Sequence, residues 1–428
     1  MNVLLIGGGG REHALAWAVK KSPQIGTLFL APGNPGMKNL GELVSIDTSN
    51  HEEVLEFIEE NNVELTIVGP EKPLVEGLVD YLEDHDKKAF GPSEAAAQLE
   101  GSKSFAKEIM KKYDIPTAGF RSYEREEWSE AQKFVESTNV FPLVLKADGL
   151  AAGKGVFVCK NRDEAQKALE YLQNDPALSA ASYRLVIEEF MEGEEVSVFA
   201  ICDGEESKIL AWAQDHKRIG EGDTGLNTGG MGAYSPAPIL DADGVRNIHQ
   251  TIIQPVIDGM ASEGIPYKGV LYCGLMMTSE GPKVVEFNCR FGDPECQVML
   301  PALKTDIIDV MVAAANGKLG HINIEVSSDY YTCIVLASEG YPGAYEKGKK
   351  ITGTSDLPED ILLFHCGTTE NESGELLTNG GRVLNVVAGG KTLRGSVEKA
   401  YQAVDKIHFD GMYFRRDIAK KGLTKTGA

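Results

Sequence analysis

Residues Val284–Glu295 read V-V-E-F-N-C-R-F-G-D-P-E, a run of apolar and β-branched residues interrupted at every second position by Glu286, Asn288 and Arg290. Side chains two apart on a strand share a face, so the pattern predicts a strand with these three groups in a row. A carboxylate, an amide oxygen and a guanidinium suit Mg²⁺ and the phosphates it carries. Hard cations take oxygen ligands, and Arg grips phosphate through two parallel hydrogen bonds. An ordinary half-exposed edge of mixed charge would read the same way. On this stretch alone both readings stay open.

Working outward, 428 residues suffice for about two to four domains with buried cores. The apolar share of 42% and the charged share of 25% belong to an ordinary globular chain. A formal net charge of -22 argues against a nucleic-acid surface, so a phosphate-bearing ligand must meet local clusters of Lys and Arg. The seven cysteines are scattered without a C-x-x-C pair, which suits reduced thiols. Cys159, Cys202, Cys273 and Cys333 sit in strand-like apolar runs and are expected in the core. The N-terminus lacks a basic region and a signal-length apolar segment, and no apolar run spans a membrane. These features predict a cytoplasmic protein without membrane or nucleic-acid partners.

The first hundred residues alternate strand and helix signals. Val3–Ile6 precedes Gly7–Gly10 and a helical pattern from Arg11 to Lys20. Val44–Ile46, Leu65–Val68 and Ala89–Phe90 are further short strands, the second followed by a helix with Leu74, Leu78 and Leu82 on one face, the third by a long helix. Such alternation predicts βαβ units on a parallel sheet. From about Gly101 a hairpin-rich α+β pattern begins, with strands at 141–146, 156–160, 185–189, 196–202 and 209–213. Residues 215–235 are rich in glycine and poor in apolar side chains, which predicts a long functional loop. A third region follows from about Ser327, with strands at 331–337 and 382–388 and a helix near 396–407.

Several motifs carry chemistry. Gly7–Gly10 follows a strand and opens a helix, where free N–H groups and the helix dipole attract a phosphate or carboxylate. A dinucleotide fingerprint needs a third glycine where Glu12 stands, which argues against a nicotinamide-dependent oxidoreductase. A monophosphate site and a structural tight turn both remain open there. Gly149–Gly155 resembles a P-loop but lacks one spacer residue and has Gly155 in place of the Mg²⁺-holding Ser/Thr. A glycine-rich hairpin closing over phosphates fits better, with Lys146 and Lys154 as phosphate cations, against a plain flexible hairpin as the alternative. Glu188–Glu195 joins two strands, where backbone groups suit an adenine edge and a carboxylate suits ribose hydroxyls. An acidic surface hairpin is the competing reading.

Together these segments resemble the ATP-grasp superfamily, and within it the glycinamide ribonucleotide synthetase family. The matching stretches are I-G-G-G-G-R-E-H-A-L at 6–15, A-P-G-N-P-G at 31–36, L-K-A-D-G-L-A-A-G-K-G-V at 145–156, G-D-T-G-L-N-T-G-G-M-G-A-Y-S-P at 222–236, E-F-N-C-R-F-G-D-P-E at 286–295 and G-R-V-L-N-V-V-A-G-G at 381–390. The resemblance implies an α/β and α+β multidomain chain: a Rossmann-like parallel βαβ domain over 1–103, an ATP-grasp domain over 104–326 with a glycine-rich lid at about 123–190, and a small α/β domain over 327–428. It implies ligation of glycine to 5-phosphoribosylamine in de novo purine synthesis, with ATP as co-substrate, through glycyl phosphate. Enclosing that acyl phosphate limits its hydrolysis.

Carried over by position, Glu286 and Asn288 would hold Mg²⁺ (or Mn²⁺), and Arg290 would steady the transferring phosphate. Lys103, Lys146, Gly153, Lys154 and Gly155 would hold ATP phosphates, with Glu188, Glu189 and Phe190 at adenine and Glu195 on the ribose. Gly9, Gly10, Asp215, Lys217, Arg218, Asn227 and Arg290 are the candidates for the glycine and phosphoribosylamine sites. A monomer is expected. Two positions depart from the family pattern. Gly274 stands where many ATP-grasp enzymes carry a second metal-binding Glu, and Leu226 replaces the Pro of the G-D-x-G-P-N-T loop. A ligase for a different acid or amine, and a non-catalytic nucleotide sensor, are the remaining alternatives.

Overall fold

A computed structural model describes residues 1–150, 155–175 and 184–427. Its N-terminal part is a five-stranded parallel sheet, in spatial order Glu42–Leu43, Leu28–Pro32, Val3–Gly7, Leu65–Val68, Ala89–Phe90. The central strand V-L-L-I-G is buried throughout, because helices cover both faces of such a sheet. The outer strand pairs through Glu42 and Leu43 rather than Val44–Ile46. The leucine-faced helix after Leu65–Val68 is two helices, Glu71–Val75 and Leu78–Asp84, because Gly77 between them takes a left-handed φ of 80°. The long helix after Phe90 is likewise divided, into Glu94–Gly101 and Lys103–Lys112. Ser102 closes the first and caps the second, its hydroxyl accepting from the Phe105 N–H.

A four-stranded antiparallel sheet follows, ordered Phe120–Glu124, Arg184–Glu189, Leu143–Ala147, Val156–Cys159. Helices Trp128–Ser137 and Arg162–Asn174 pack on it around a small separate core that includes Trp128, Leu145, Leu169 and Ile187. The largest sheet has nine strands, all antiparallel. It starts at Gly281–Asn288 and runs through Lys268–Thr278, Glu194–Asp203, Ser207–Asp215 and Gly232–Ser235 into Tyr330–Ser338, Arg382–Gly390 and Ile361–His365, with Met412–Tyr413 also pairing with Tyr330–Ser338. One hydrogen-bonded surface therefore joins the residues before 327 to those after it, through the pairing of Gly232–Ser235 with Tyr330–Ser338.

Residues 215–235, expected as a loop, contain a hairpin of Arg218–Gly220 with Thr224–Asn227 and then the strand Gly232–Ser235. All seven cysteines are free and six are buried, Cys159, Cys202, Cys273 and Cys333 among them. Among the described residues no helix is long and apolar enough to cross a membrane.

Candidate active site

The stretch V-V-E-F-N is the strand Gly281–Asn288, and a bulge sets its faces. Gly274 pairs with Glu286 while Leu275 pairs with Val284, so Val285 is the extra residue. Phe287 then turns into the core, and Glu286 and Asn288 share the half-open face on either side of it. Arg290 does not continue the row. The ladder stops at Asn288, and the Cys289 N–H donates to Glu100 Oε2 (2.8 Å) instead of to a strand. Arg290 donates to Glu71 Oε2 (3.3 Å), Glu100 Oε1 (2.9 Å) and the Phe291 carbonyl (3.2 Å). The expected line of three is thus a pair of oxygen ligands beside a separately anchored guanidinium, whose hold on a phosphate would have to compete with two carboxylates.

The donor set on that face fits Mg²⁺. Both ligands are oxygens, and among the described residues the cation nearest Glu286 is Lys217, with Nζ 3.9 Å away. No cluster of three or more His, Cys, Asp or Glu side chains placed for a metal occurs among the described residues. Mg²⁺ is well served by two protein ligands, because it keeps waters and phosphate oxygens in its shell. Gly274 faces Glu286 across the ladder, and a Cβ there would meet Tyr272 Cε1 at 3.1 Å and Glu286 Cγ at 3.4 Å.

The nucleotide candidates gather around the same strand. Lys146 rises from Leu143–Ala147, and its Nζ lies 2.8 Å from Glu188 Oε1 and donates to the Val285 carbonyl at 3.3 Å, the carbonyl of the bulge. Lys103, first residue of its helix, donates to the carbonyls of Asp148 (3.3 Å) and Gly149 (3.0 Å). Burial lowers its ammonium pKa. Gly155 closes the glycine-rich turn by accepting from the Ala147 N–H at 2.8 Å. Gly153 and Lys154 lie outside the described residues.

Glu188 is not at the chain break. It pairs with Phe120 on one side and Val144 on the other, and its carboxylate points into the protein. Burial alone would raise that carboxyl, but the ammoniums of Lys146 and Lys107 outweigh burial and hold it below the usual range. Glu189 and Phe190 end the strand, with the Glu189 N–H on the Gly119 carbonyl (2.9 Å) and Phe190 half exposed. Glu195 meets Lys217, Oε2 to Nζ 2.9 Å.

Asp215 and Lys217 flank the buried His216. Burial opposes the Lys217 charge, yet Glu195, Tyr272 and Asp215 outweigh it and raise its pKa well above the ordinary value. Asp215 and Glu295 are both raised, first by burial; Glu195 and Glu286 add to the shift of Asp215, and Asp215 adds to that of Glu295. Glu295 accepts from Ser197 Oγ at 3.4 Å. Arg218 donates to the Gly225 carbonyl (2.8 Å) across its own hairpin, opposite Asn227 in register.

At the N-terminal glycines the expected anion cradle is taken by the protein's own carboxylates. Glu12 Oε2 accepts from the Gly9 N–H (2.8 Å), and Asp293 Oδ2 accepts from the Arg11 N–H (3.3 Å). Glu12 also fills the space a larger residue at Gly69 would need, its Oε1 lying 2.5 Å from a Cβ there. This explains why the third glycine of a dinucleotide fingerprint is absent. Gly10 packs against Asn385, and a Cβ on it would stand 2.6 Å from Cys366 Sγ and 2.8 Å from Gln297 Nε2.

Family models match most of the chain: the N domain of phosphoribosylglycinamide synthetase over residues 1–100, its ATP-grasp (A) domain over 101–296 and its C domain over 331–421. The chain belongs to the phosphoribosylglycinamide synthetase family. A phosphoribosylamine–glycine ligase of Rhodopirellula baltica is 49% identical over 99% of this chain and 98% of its own length. One from Mesorhizobium japonicum is 46% identical over the full length of both. The crystal structure of the phosphoribosylamine–glycine ligase of Thermotoga maritima superposes with a TM-score of 0.85 at 36% identity, covering 98% of this chain and all of that one. A biotin carboxylase domain of Hydrogenobacter thermophilus, crystallised with MgADP, shares the fold at a TM-score of 0.75 and 16% identity, over 99% and 98% of the two chains. The family brings with it an ATP-grasp domain and ligase chemistry of purine biosynthesis.

The structure also brings in residues that the sequence left unassigned. Lys107 stands four positions after Lys103 on one helix, a spacing that puts both on one face. Glu295 lies within the opening stretch, but nothing local distinguishes it from a surface carboxylate. Arg382 donates to the carbonyls of Gly229 (2.7 Å) and Asp293 (2.7 Å), and no local pattern announces it.

Proposed function

We propose that the chain joins glycine to 5-phosphoribosylamine at the expense of ATP. The observation that carries this reading is the meeting of three segments on one strand. Lys146 reaches the bulge carbonyl of Val285, and Lys217 stands between Glu195 and Glu286, so phosphate, ribose and metal groups converge.

Lys103 and Lys146 steady the triphosphate, with Gly155 beside them and Lys154 as a further phosphate cation. Glu189 and Phe190 border the base, and Glu195 takes the ribose hydroxyls. Mg²⁺ or Mn²⁺ held by Glu286 and Asn288 would supply charge neutralisation on the phosphates. Asp215, beside Glu295, accepts the ammonium of glycine and leaves its carboxylate free to attack the γ-phosphorus. The γ-phosphoryl group passes to that carboxylate, giving glycyl phosphate and ADP. The amine of phosphoribosylamine then attacks the acyl carbon, the bond to the phosphate oxygen breaks, and the nitrogen loses its proton. Such a sequence needs positioning and charge compensation rather than a covalent nucleophile on the protein. Lys217, Arg218, Asn227 and Arg290 border the amine side, with Gly9 and Gly10 at the neighbouring turn.

Measuring ADP release with glycine and phosphoribosylamine, against other amino acids and other amines, tests the assignment. Turnover is expected only with the named pair. ADP release that ignores glycine, or favours a different acid, would replace the reading with another carboxylate–amine ligase.

A further inference from the structure

Behind the phosphate side of the cleft, one buried carboxylate is shared by two buried ammonium groups. Glu188 Oε1 lies 2.8 Å from Lys146 Nζ, and Glu188 Oε2 lies 3.2 Å from Lys107 Nζ. The three residues come from three elements: the helix Lys103–Lys112, the strand Leu143–Ala147 and the strand Arg184–Glu189. Lys107 also donates to Thr117 Oγ1 (2.7 Å), whose hydroxyl donates to the Val284 carbonyl (2.7 Å). Lys146 donates to the next carbonyl, that of Val285 (3.3 Å). Both lysines are therefore tied to the strand that presents Glu286 and Asn288.

The second cation is unexplained by packing, because a buried charge is costly and one ammonium already matches one carboxylate. What Lys146 must do accounts for it. If Lys146 alone faced Glu188, turning that ammonium to a phosphate would leave a carboxylate buried and unpaired. With Lys107 on the other oxygen, Glu188 keeps a partner through the exchange. The incoming phosphate meets a site with one positive charge in excess instead of a neutral pair. We propose that Lys107 is a positioning residue for nucleotide binding: it holds Glu188 when Lys146 turns to the ATP phosphates. The inference rests on the reading above that Lys146 meets those phosphates.

The test is calorimetric binding of a non-hydrolysable ATP analogue with Mg²⁺ to the full-length protein. Lys107→Met is expected to weaken binding about tenfold or more, and Lys107→Arg, which keeps the cation, to stay within about threefold of wild type. Adding Glu188→Gln to Lys107→Met removes the charge that traps Lys146, and is expected to restore affinity to within about threefold. In turnover, the KM for ATP of Lys107→Met should rise while that for glycine holds. Wild-type affinity in Lys107→Met overturns the proposal. So does failure of Glu188→Gln to restore it at an unchanged melting temperature, which would make Lys107 a merely structural cation. Should Lys107→Met not fold, Glu188→Gln alone decides: affinity near wild type supports the exchange, and a tenfold loss refutes it. Lys146→Met separates the layers, since undiminished analogue binding there would sink the phosphate role of Lys146 itself.

Discussion

Among the described residues, Glu286 differs from the carboxylates around it in having no cation within tight ion-pair distance. Glu188 and Glu195 have ammonium partners at 2.8 Å and 2.9 Å, whereas the nearest to Glu286 among the described residues is 3.9 Å away. A half-exposed carboxylate without a tight partner contributes little to stability, so removing it should be nearly silent for the fold, within about 0.5 kcal/mol. Glu286→Ala is accordingly expected to abolish Mg²⁺-dependent turnover while urea unfolding stays at the wild-type midpoint. Near-normal activity over a Mg²⁺ titration would remove the metal assignment. Gly10 presents the opposite balance. A methyl there meets Cys366, Gln297 and Asn385 from other elements, all tightly placed. Gly10→Ala should cost about 1–3 kcal/mol in urea unfolding through overpacking. A neutral result would mean that the helix start and the C-terminal sheet yield more easily than their spacing implies.

The hairpin of Arg218–Gly220 with Thr224–Asn227 is made an ordered element by residues far along the chain. Arg415, 1% exposed, forks onto Asp417 with two bonds of 2.8 Å and donates to Asp223 Oδ1 and the Arg218 carbonyl at 3.0 Å. Tyr413 Oη donates to the Ile219 carbonyl (2.8 Å), and Asp417 accepts from the Gly222 N–H (2.8 Å). Arg415→Met would leave Asp417 and Asp223 without their guanidinium, a loss of roughly 3 kcal/mol for a largely buried pair. It should also speed amide exchange over 218–227 by about tenfold. Unchanged exchange there would show that the hairpin stands without its clamp. The same contacts explain what was legible beforehand. Val3–Ile6, Leu65–Val68 and the helix from Arg11 to Lys20 announce themselves through local apolar runs and periodicity, and the structure has them. The hairpin carries no such local signal, because the groups that fix it, Asp223 and Arg415, are 192 positions apart. Arg290 was misplaced for a related reason: the period-two pattern continues through Cys289, but Glu100 takes the Cys289 N–H and ends the ladder. Gly153 and Lys154, expected in a phosphate turn, fall outside the described residues.

At the scale of the molecule, the N-terminal sheet is locked to the C-terminal sheet by a seam of neutral histidines. The His365 N–H donates to His13 Nδ1 (2.9 Å), so that nitrogen carries a lone pair and no proton. Asn34 bridges the Gly8 and His365 carbonyls at 3.0 Å each. Gly36 lies against both rings, and a Cβ there would be 2.5 Å from His365 and 2.6 Å from His13. Burial lowers His13 to about 3 and His365 and His216 to about 4, with the His365 ring adding to the shift of His13. An unfolded histidine titrates near ~6.5, so below that pH the unfolded chain binds protons that the folded chain refuses. The contribution of these rings is therefore fully present above about pH 6.5 and is lost progressively as pH falls toward about 4. Asp215 and Glu295, raised by burial, act with the opposite sign, their share being lost as pH rises through their folded values. Comparing wild type with His13→Gln cancels those carboxylates, because both proteins keep them. At neutral pH the variant should melt lower, having lost a buried acceptor and its ring packing. Between pH 6.5 and 4.5 the gap should close, since only the wild type forfeits the His13 contribution there. A gap that stays constant across that range would mean that the seam does not titrate through His13, and that the lone pair facing His365 is not what couples the two sheets to pH.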